Sequence, residues 1–159
     1  MQAHNIRMTL DQTDERLLAR LQRNAQATTA ELADALHLSA SQIGRRKQRL
    51  EAEGYITHYA AHLAPEKLGL TVQAFVQVQL GTHGAEHSRA FARLTATRPE
   101  IVSAWTMTGE ADYLLRIWTR DLAALNRLIH DVLLAHASVA RVHSQIVMDQ
   151  LKSDAPLPV

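Results

Sequence analysis

Hydrophobic positions divide the chain into two parts with different periods. Between residues 10 and 53 apolar side chains recur every three to four positions, which predicts amphipathic helices. Leu10, Leu17 and Leu21 lie on one face of the first of these helices. From residue 70 to 80 apolar and polar side chains alternate, which predicts a half-buried strand. The chain is therefore predicted to join a helical N-terminal part to a second part that contains a sheet.

Short polar motifs indicate where the helices of the first part begin and end. Thr28 with Glu31, and Ser39 with Gln42, have the spacing of capping boxes that open a second and a third helix. The third helix is predicted to run up to Gly54, which suits a left-handed C-terminal cap. Two capped helices joined by a turn of about three to four residues form a helix-turn-helix.

The second part is predicted to follow the order β-α-β-β-α-β of a ferredoxin-like domain. After the strand at 70–80 we expect a helix at 85–97, strands at 101–108 and 113–119, a helix capped by Asp121, and a strand at 139–148. Residues 55–63 are also strand-like, and Pro65 and Gly69 mark a hinge before the domain. Both helices cover one face of such a sheet, so dimerisation is the simplest way to cover the other.

Composition and charge narrow the class of protein. The 159 residues are 47% hydrophobic, enough for a folded core, and carry a net charge of +1. Without cysteine there are no disulfides, thiolate metal sites or cysteine nucleophiles. There is no signal-like start and no apolar run of about 18 residues, so we expect a cytoplasmic protein that is not in a membrane. Residues 41–50 carry four basic side chains and no acid, which favours a local anion contact.

The basic residues belong to the predicted third helix, whose two sides differ. On a helical wheel Ile43 and Leu50 share one side and should pack on the other helices. The opposite side carries Ser41, Gln42, Arg45 and Arg49. In the major groove arginine can bridge guanine and glutamine can bridge adenine. Ser39 and Arg46 are expected to meet phosphates. The alternative is a solvated charged face. The predicted DNA-binding residues are Ser39, Ser41, Gln42, Arg45, Arg46, Lys47 and Arg49.

Motifs from both parts occur together in a recognisable order. They are Leu10-Asp11-x-x-Asp14, Glu31-Leu32-Ala33, Leu38-Ser39, Arg49-Leu50-Glu51, Gly54-Tyr55-Ile56 and Thr108-Gly109-x-x-Asp112-Tyr113. Over about residues 10–152 the chain resembles the Lrp/AsnC (feast/famine) transcription regulators. The resemblance implies an α+β chain with a winged helix-turn-helix of three helices, a β hinge and a ferredoxin-like ligand domain. It also implies homodimers that assemble into tetramers or octamers, and binding of double-stranded operator DNA that responds to an amino acid.

These expectations give a division of the chain into four parts. We predict a helix-turn-helix DNA-binding domain at 1–54 and a β-strand hinge at 55–69. An effector-binding and oligomerisation domain follows at 70–152, with a C-terminal tail at 153–159. One position departs from the family pattern, since an aliphatic residue is usual where Lys47 stands. We expect the methylenes of Lys47 to lie along the core and its ammonium to reach phosphate.

The resemblance places the small-molecule effector between dimers, near the Gly-x-x-Asp-Tyr turn. It thereby implies Gly109 and Asp112 as site residues, with Thr108, Glu110 and Ala111 beside them, and Ser144 on the last strand as a further candidate. Backbone N–H groups of a turn can hold a carboxylate, and Asp112 or Glu110 can hold an ammonium. The alternative is that Gly109 and Asp112 only shape a hairpin.

Other functions stay open at this point. Proteins with the same two-domain pattern include enzymes, the siroheme decarboxylases, which would need basic and histidine residues in the pocket. The acidic turn and the arginines of the third helix favour the regulator instead. A ligand-binding module without DNA binding is a third reading, supported only by Lys47. His58 and His62 lie on a predicted strand, which separates them by about 13 Å, too far for one metal. His83 and His87 have no apparent third ligand, so we expect no metal site. We also expect no cofactor and no catalytic residues.

Overall fold

A computed structural model describes residues 10–82 and 84–159, which form two compact units. The first unit contains the described residues up to His62 together with Lys152–Val159, and the second contains Leu63–Leu151. The first nine residues of the predicted 1–54 domain lie outside the described residues, and so does His83 of the predicted histidine pairs.

Three helices build the first unit, as the sequence predicts. They are α1 (Gln12–Arg23), α2 (Thr29–Leu36) and α3 (Ala40–Ala52). Each begins with a complete capping box, in which the first residue and the fourth exchange side-chain and backbone hydrogen bonds: Asp11/Asp14, Thr28/Glu31 and Ser39/Gln42. Leu17, Leu21, Leu32, Ile43 and Leu50 form the buried core between the helices. Gly54 has a φ of 79°, in the left-handed region expected of a helix C-terminus.

The predicted strand at 55–63 is wrong for the described chain. Residues 57–64 follow α3 without helix or strand, and the one sheet contains only the four strands of the second unit. A strand requires a neighbour that accepts and donates its backbone hydrogen bonds, and a favourable side-chain pattern does not supply one. Within the described residues no neighbouring strand pairs with this segment.

The end of the chain packs in the first unit. The side-chain amide of Gln22 on α1 donates from Nε2 to the carbonyl oxygen of Leu157 at 3.1 Å. Its Oε1 accepts the backbone N–H of the same residue at 2.6 Å. Leu157 thus bonds to one side chain with both of its backbone groups, as it would to a neighbouring strand.

The second unit has the predicted ferredoxin-like order of elements. They are β1 (Val72–Leu80), α4 (Ala85–Ala96), β2 (Ile101–Thr106), β3 (Tyr113–Thr119), α5 (Leu122–Arg127) and β4 (Val139–Ile146). The sheet is antiparallel in the order β2-β3-β1-β4. After α5 the backbone continues as a π-helical segment over Leu128–Leu133, where Leu134 N–H bonds to Ile129 C=O at 2.8 Å.

The two faces of the sheet differ in chemistry. One face forms the core, where Val76, Val78 and Leu115 pack with Phe91 of α4 and Leu133 of the π-helical segment. The other face, called the open face here, alternates with it along each strand. It carries Gln73, Phe75, Gln77 and Gln79 of β1, Trp105 of β2, Leu114, Arg116 and Trp118 of β3, and Arg141 and His143 of β4. Trp105 is 44% exposed, so this face leaves large apolar groups uncovered in the single chain.

Candidate nucleic-acid interface and effector site

Helix α3 presents an exposed polar stripe. Ser41, Arg45 and Gln48 are four and three residues apart, so they lie on one side of the helix. The buried side chains of Ile43 and Leu50 lie on the opposite side, at about 100° of rotation per residue. We call Ser41, Arg45 and Gln48 the recognition stripe. The sequence-based set omitted Gln48, although its helical spacing from Arg45 was available as a signal.

The flank of α3 that faces α1 is an ion-pair cluster. The carboxylate of Asp14 is buried, and it accepts hydrogen bonds from Arg49 Nη2 and, at 2.7 Å, from Arg46 Nη1. Arg46 Nη1 also donates to Asp11 Oδ2 at 2.6 Å. The hydrogen bond from Arg46 lowers the pKa of the Asp11 carboxyl, and the bonds to Asp11 and Asp14 raise the pKa of Arg46.

This cluster corrects the predicted orientation of Arg49. The helical wheel placed Arg49 on the exposed side with Arg45, but its guanidinium turns to Asp14. The wheel treats α3 in isolation, whereas a buried carboxylate from α1 requires cationic partners. Arg46 and Arg49 therefore hold α3 on α1, and Arg45 is the arginine of α3 whose side chain projects from the exposed stripe.

The opposite flank of α3 contacts the chain that follows it. The ammonium of Lys47 lies 5.0 Å from the ring centre of Tyr59, a cation–π contact. The Tyr59 hydroxyl donates to Glu51 Oε1 at 2.8 Å. Burial, together with the bond to Glu51, raises the pKa of Tyr59 to about 12. Lys47 thus attaches the segment after α3 to the helix, and its predicted phosphate contact stays a prediction.

The first turn of α3 uses its polar groups for capping. Gln42 N–H donates to Ser39 Oγ at 3.2 Å, and Ser39 N–H donates to Gln42 Oε1 at 2.9 Å. The hydroxyls of Ser39 and Ser41 are 3.0 Å apart. Because its carbonyl oxygen serves the cap, Gln42 is poorly placed to bridge adenine, which requires both ends of the amide.

The predicted effector turn joins β2 to β3. Gly109 has a φ of 113°, a conformation that strains residues with a side chain. Asp112 Oδ2 accepts the backbone N–H of Leu80 at 2.7 Å, and Asp112 N–H donates to Val78 C=O at 3.0 Å. Met107 N–H donates to Asp112 C=O at 2.8 Å. These bonds tie the turn to the end of β1, so Asp112 has a clear anchoring role.

Beside this turn, a cavity of about 280 Å³ opens on the open face; we call it the sheet cavity. Its lining residues are Gln77, Gln79, Glu110, Ala111, Arg141 and His143. Of the predicted effector residues, it brings together only Glu110 and Ala111. Arg141 Nη1 lies 3.7 Å from Glu110 Oε1. The register pairs Gln77 with His143 and Gln79 with Arg141, which puts each pair on one face.

Ser144 lies apart from the sheet cavity. It pairs with Val76, whose side chain belongs to the core, so Ser144 is on the face that carries the helices. Sequence reasoning also missed four lining residues: Gln77, Gln79, Arg141 and His143. The alternation along β1 was a usable signal for the two glutamines. The two residues of β4 depend on strand register, which the sequence pattern leaves undetermined.

Membrane-spanning helices and metal centres would each indicate another function. None of the helices in the described part of the chain has the length and apolar character needed to cross a bilayer. Among residues 10–82 and 84–159, no three histidine, aspartate or glutamate side chains gather where they could hold a metal ion.

Comparison with known proteins agrees with the architecture of both units. Residues 10–51 match the AsnC-type helix-turn-helix domain, and residues 73–157 match the Lrp/AsnC ligand binding domain. The chain belongs to the Lrp/AsnC family. It is 32% identical over 150 residues to the DNA-binding transcriptional activator DecR of Escherichia coli, which covers 94% of this chain and 99% of DecR.

Two further members of the Lrp/AsnC family are similar over nearly the whole chain. The glutamate uptake regulatory protein of Zymomonas mobilis is 31% identical, with 94% of this chain and 91% of that protein covered. A transcriptional regulator of Neisseria meningitidis, solved in complex with L-Met, is 37% identical with a TM-score of 0.91. That match covers 94% of this chain and 97% of the other.

The family assignment decides the general function. This Lrp/AsnC protein is a DNA-binding transcriptional regulator with a ligand-binding domain. The relatives described above are regulators as well, and none of them supports the siroheme-decarboxylase alternative.

Proposed function

We propose that this regulator recognises operator DNA by placing the recognition stripe of α3 in the major groove. Arg45 would bridge guanine, Gln48 would bridge adenine, and Ser41 would contact either a base edge or a phosphate. Ser39 and the N-terminal turn of α3, with Gln42, would lie near phosphate. Arg46 and Arg49 would act mainly by holding α3, and Lys47 would contact phosphate from the flank that carries Tyr59.

One observation carries this proposal: the stripe is the side of α3 left over once every other side has a partner. Ile43 and Leu50 are in the core, Arg46 and Arg49 are on Asp14, and the ammonium of Lys47 is on Tyr59. Arginine and glutamine are the side chains that most specifically recognise guanine and adenine.

The test is a selection of binding sites from random duplex DNA, followed by affinity measurements on the selected sequence. Arg45→Ala and Gln48→Ala should each weaken specific binding by about 1–3 kcal/mol and relax one position of the site. Arg93→Ala, which removes an exposed arginine of α4 in the other unit, is the matched control and should leave affinity unchanged. The proposal is wrong if both stripe variants select the wild-type sequence with wild-type affinity.

The second unit would bind the effector and a second copy of the chain. We propose that an amino acid binds at the effector turn and the sheet cavity, since Glu110 and Arg141 offer charges of both signs there.

The apolar part of the open face, with Phe75, Trp105 and Trp118, would pack on the same face of a second copy. Dimers would assemble further into tetramers or octamers and act in the cytoplasm, where the operator is, without catalysing a reaction.

A further inference from the structure

The residues that line the sheet cavity bear on the chemistry of the effector's side chain. Resting on the proposed effector site, we propose that the cavity takes an α-amino acid whose side chain is neutral and forms hydrogen bonds, with glutamine as the type. Arg141 would bind the α-carboxylate and Glu110 the α-ammonium. The side chain would lie against Gln77, Gln79 and His143.

The charges of the lining match a molecule without net charge. Glu110 and Arg141 are the charged pair of the cavity, of opposite sign, with the carboxylate and guanidinium 3.7 Å apart. That separation is longer than a good direct ion pair, so each group keeps capacity for a ligand. The zwitterionic head of an amino acid presents a carboxylate and an ammonium on neighbouring atoms. A ligand with a further charge on its side chain would meet no counter-charge.

The rest of the lining is polar. Cross-strand pairing sets Gln77 beside His143 on the open face, and Gln79 follows on the same side of β1. Amide and imidazole groups both donate and accept hydrogen bonds, so the three can bind a carboxamide at both ends. Ala111 is the one apolar residue of the lining. An aliphatic side chain placed here would remove water from these groups without replacing its hydrogen bonds.

Size points to a single small ligand. A volume of about 280 Å³ is just below the range of roughly 300–1,000 Å³ typical of pockets for drug-sized molecules. The cavity is also polar, whereas pockets for larger ligands are lined mainly by apolar groups. It accordingly suits one amino acid.

L-Glutamine and L-methionine give a sharp test because they have similar length and shape but differ in hydrogen-bonding capacity. Calorimetry on the full chain should give an affinity for L-glutamine at least tenfold higher than for L-methionine, with L-glutamate also weaker than L-glutamine. Gln77→Met should reduce the preference for glutamine several-fold. Gln145→Met makes the same exchange on the open face, on β4 and away from the cavity lining, and should leave the preference intact.

Arg141→Met separates the possible failures. Suppose that L-methionine binds the wild-type chain as tightly as L-glutamine does, and that Arg141→Met lowers the affinity for both amino acids tenfold or more. The effector site then stands, and the proposed ligand class is wrong. If no amino acid binds at millimolar concentration to the folded chain, the effector site itself is wrong, and this inference falls with it. A glutamine preference that Gln77→Met leaves unchanged also overturns it, because the lining would then not select the side chain.

Discussion

The buried carboxylate of Asp14 on α1 binds the guanidinium of Arg49 on α3. Arg46, three residues earlier on α3, donates to the other oxygen of the same carboxylate. One acidic side chain of α1 therefore binds two arginines of α3. If α3 enters the major groove as we propose, Arg46 and Arg49 would matter for DNA binding without touching DNA.

Removal of the Asp14 charge should destabilise the first unit. Asp14→Asn removes the acidic partner of Arg49 and leaves Arg46 with Asp11 alone. Removing one partner of a buried ion pair costs about 3–5 kcal/mol. The two arginine side chains are 27% and 30% exposed, so we expect a value near the lower end. Urea unfolding measures it. Asp11→Asn, at a side chain that is 50% exposed, is the control and should cost no more than about 1 kcal/mol. Equal effects would contradict the central role of Asp14.

Removal of the Asp11 charge should strengthen DNA binding. Asp11 neutralises part of Arg46 next to the recognition stripe, so Asp11→Asn leaves more positive potential on this side of α3. We expect tighter binding to all sequences at low salt and a steeper dependence of affinity on salt. Fluorescence anisotropy at several salt concentrations measures both, with Asp131→Asn in the second unit as the control. Weaker binding by Asp11→Asn would show that its ion pair matters more than its charge.

Tyr59 gives a pH dependence at the alkaline end. Its pKa is raised from 10.0 to about 12, so the folded state favours the neutral phenol. A raised pKa contributes stability below pH 10 that is lost as the pH rises from 10 toward 12. Absorbance titration of the phenolate should show a late ionisation step that belongs to Tyr59. Tyr59→Phe should abolish that late step, whereas Tyr55→Phe should keep it. If Tyr55→Phe abolished the late step instead, Tyr59 would not be the residue that ionises late.

The open face should hold a dimer together. Trp105→Glu places a charge where we propose that two sheets meet, and it should dissociate the dimer without unfolding the monomer, since the side chain is already 44% exposed. Sedimentation at micromolar concentration reports the assembly. Leu122→Glu, at an exposed apolar residue of α5, is the matched control and should stay dimeric. A wild-type chain that sediments as a folded monomer would contradict the dimer itself.

Asp112 and Glu110 should separate into a structural and a ligand-binding role. Asp112→Ala leaves the N–H of Leu80 without its acceptor, which should cost about 1–3 kcal/mol of stability and change ligand affinity little in the folded protein. Glu110→Gln, at an exposed side chain, should leave stability unchanged and weaken amino-acid binding. Thermal unfolding and calorimetry on the same two variants measure both. The reverse pattern would assign the ammonium to Asp112.

Periodicity and caps predicted the elements of this fold well. The alternation over 70–80 gave β1 and its core face, and the motifs at Thr28 and Ser39 gave the starts of α2 and α3. These features depend on residues within about one helical turn of each other or on strict alternation, so the sequence contains them directly. The strand predicted over 55–63 failed because a strand also depends on a distant partner.

The sites were less accessible to sequence reasoning for the same physical reason. Asp14 and Arg49 are 35 residues apart, and no local pattern indicates that they meet. Ser144 was placed with the effector turn, but cross-strand register puts it on the other face. Gln48 could have been found, since it continues the spacing of Ser41 and Arg45. Residue type indicated the chemistry of each site, whereas the partners of each side chain required the fold.

The hydrogen bonds between Gln22 and Leu157 have a practical consequence for the placement of tags, truncations and labels. The first unit contains both the early residues and the last eight, so the second unit is in effect an insertion within the first. A purification tag fused after Val159 would therefore emerge beside α1 of the DNA-binding unit. Trimming the last few residues would loosen that unit rather than the effector unit. Because the chain has no cysteine of its own, a single cysteine placed at residue 157 offers a reporter for this end of the molecule.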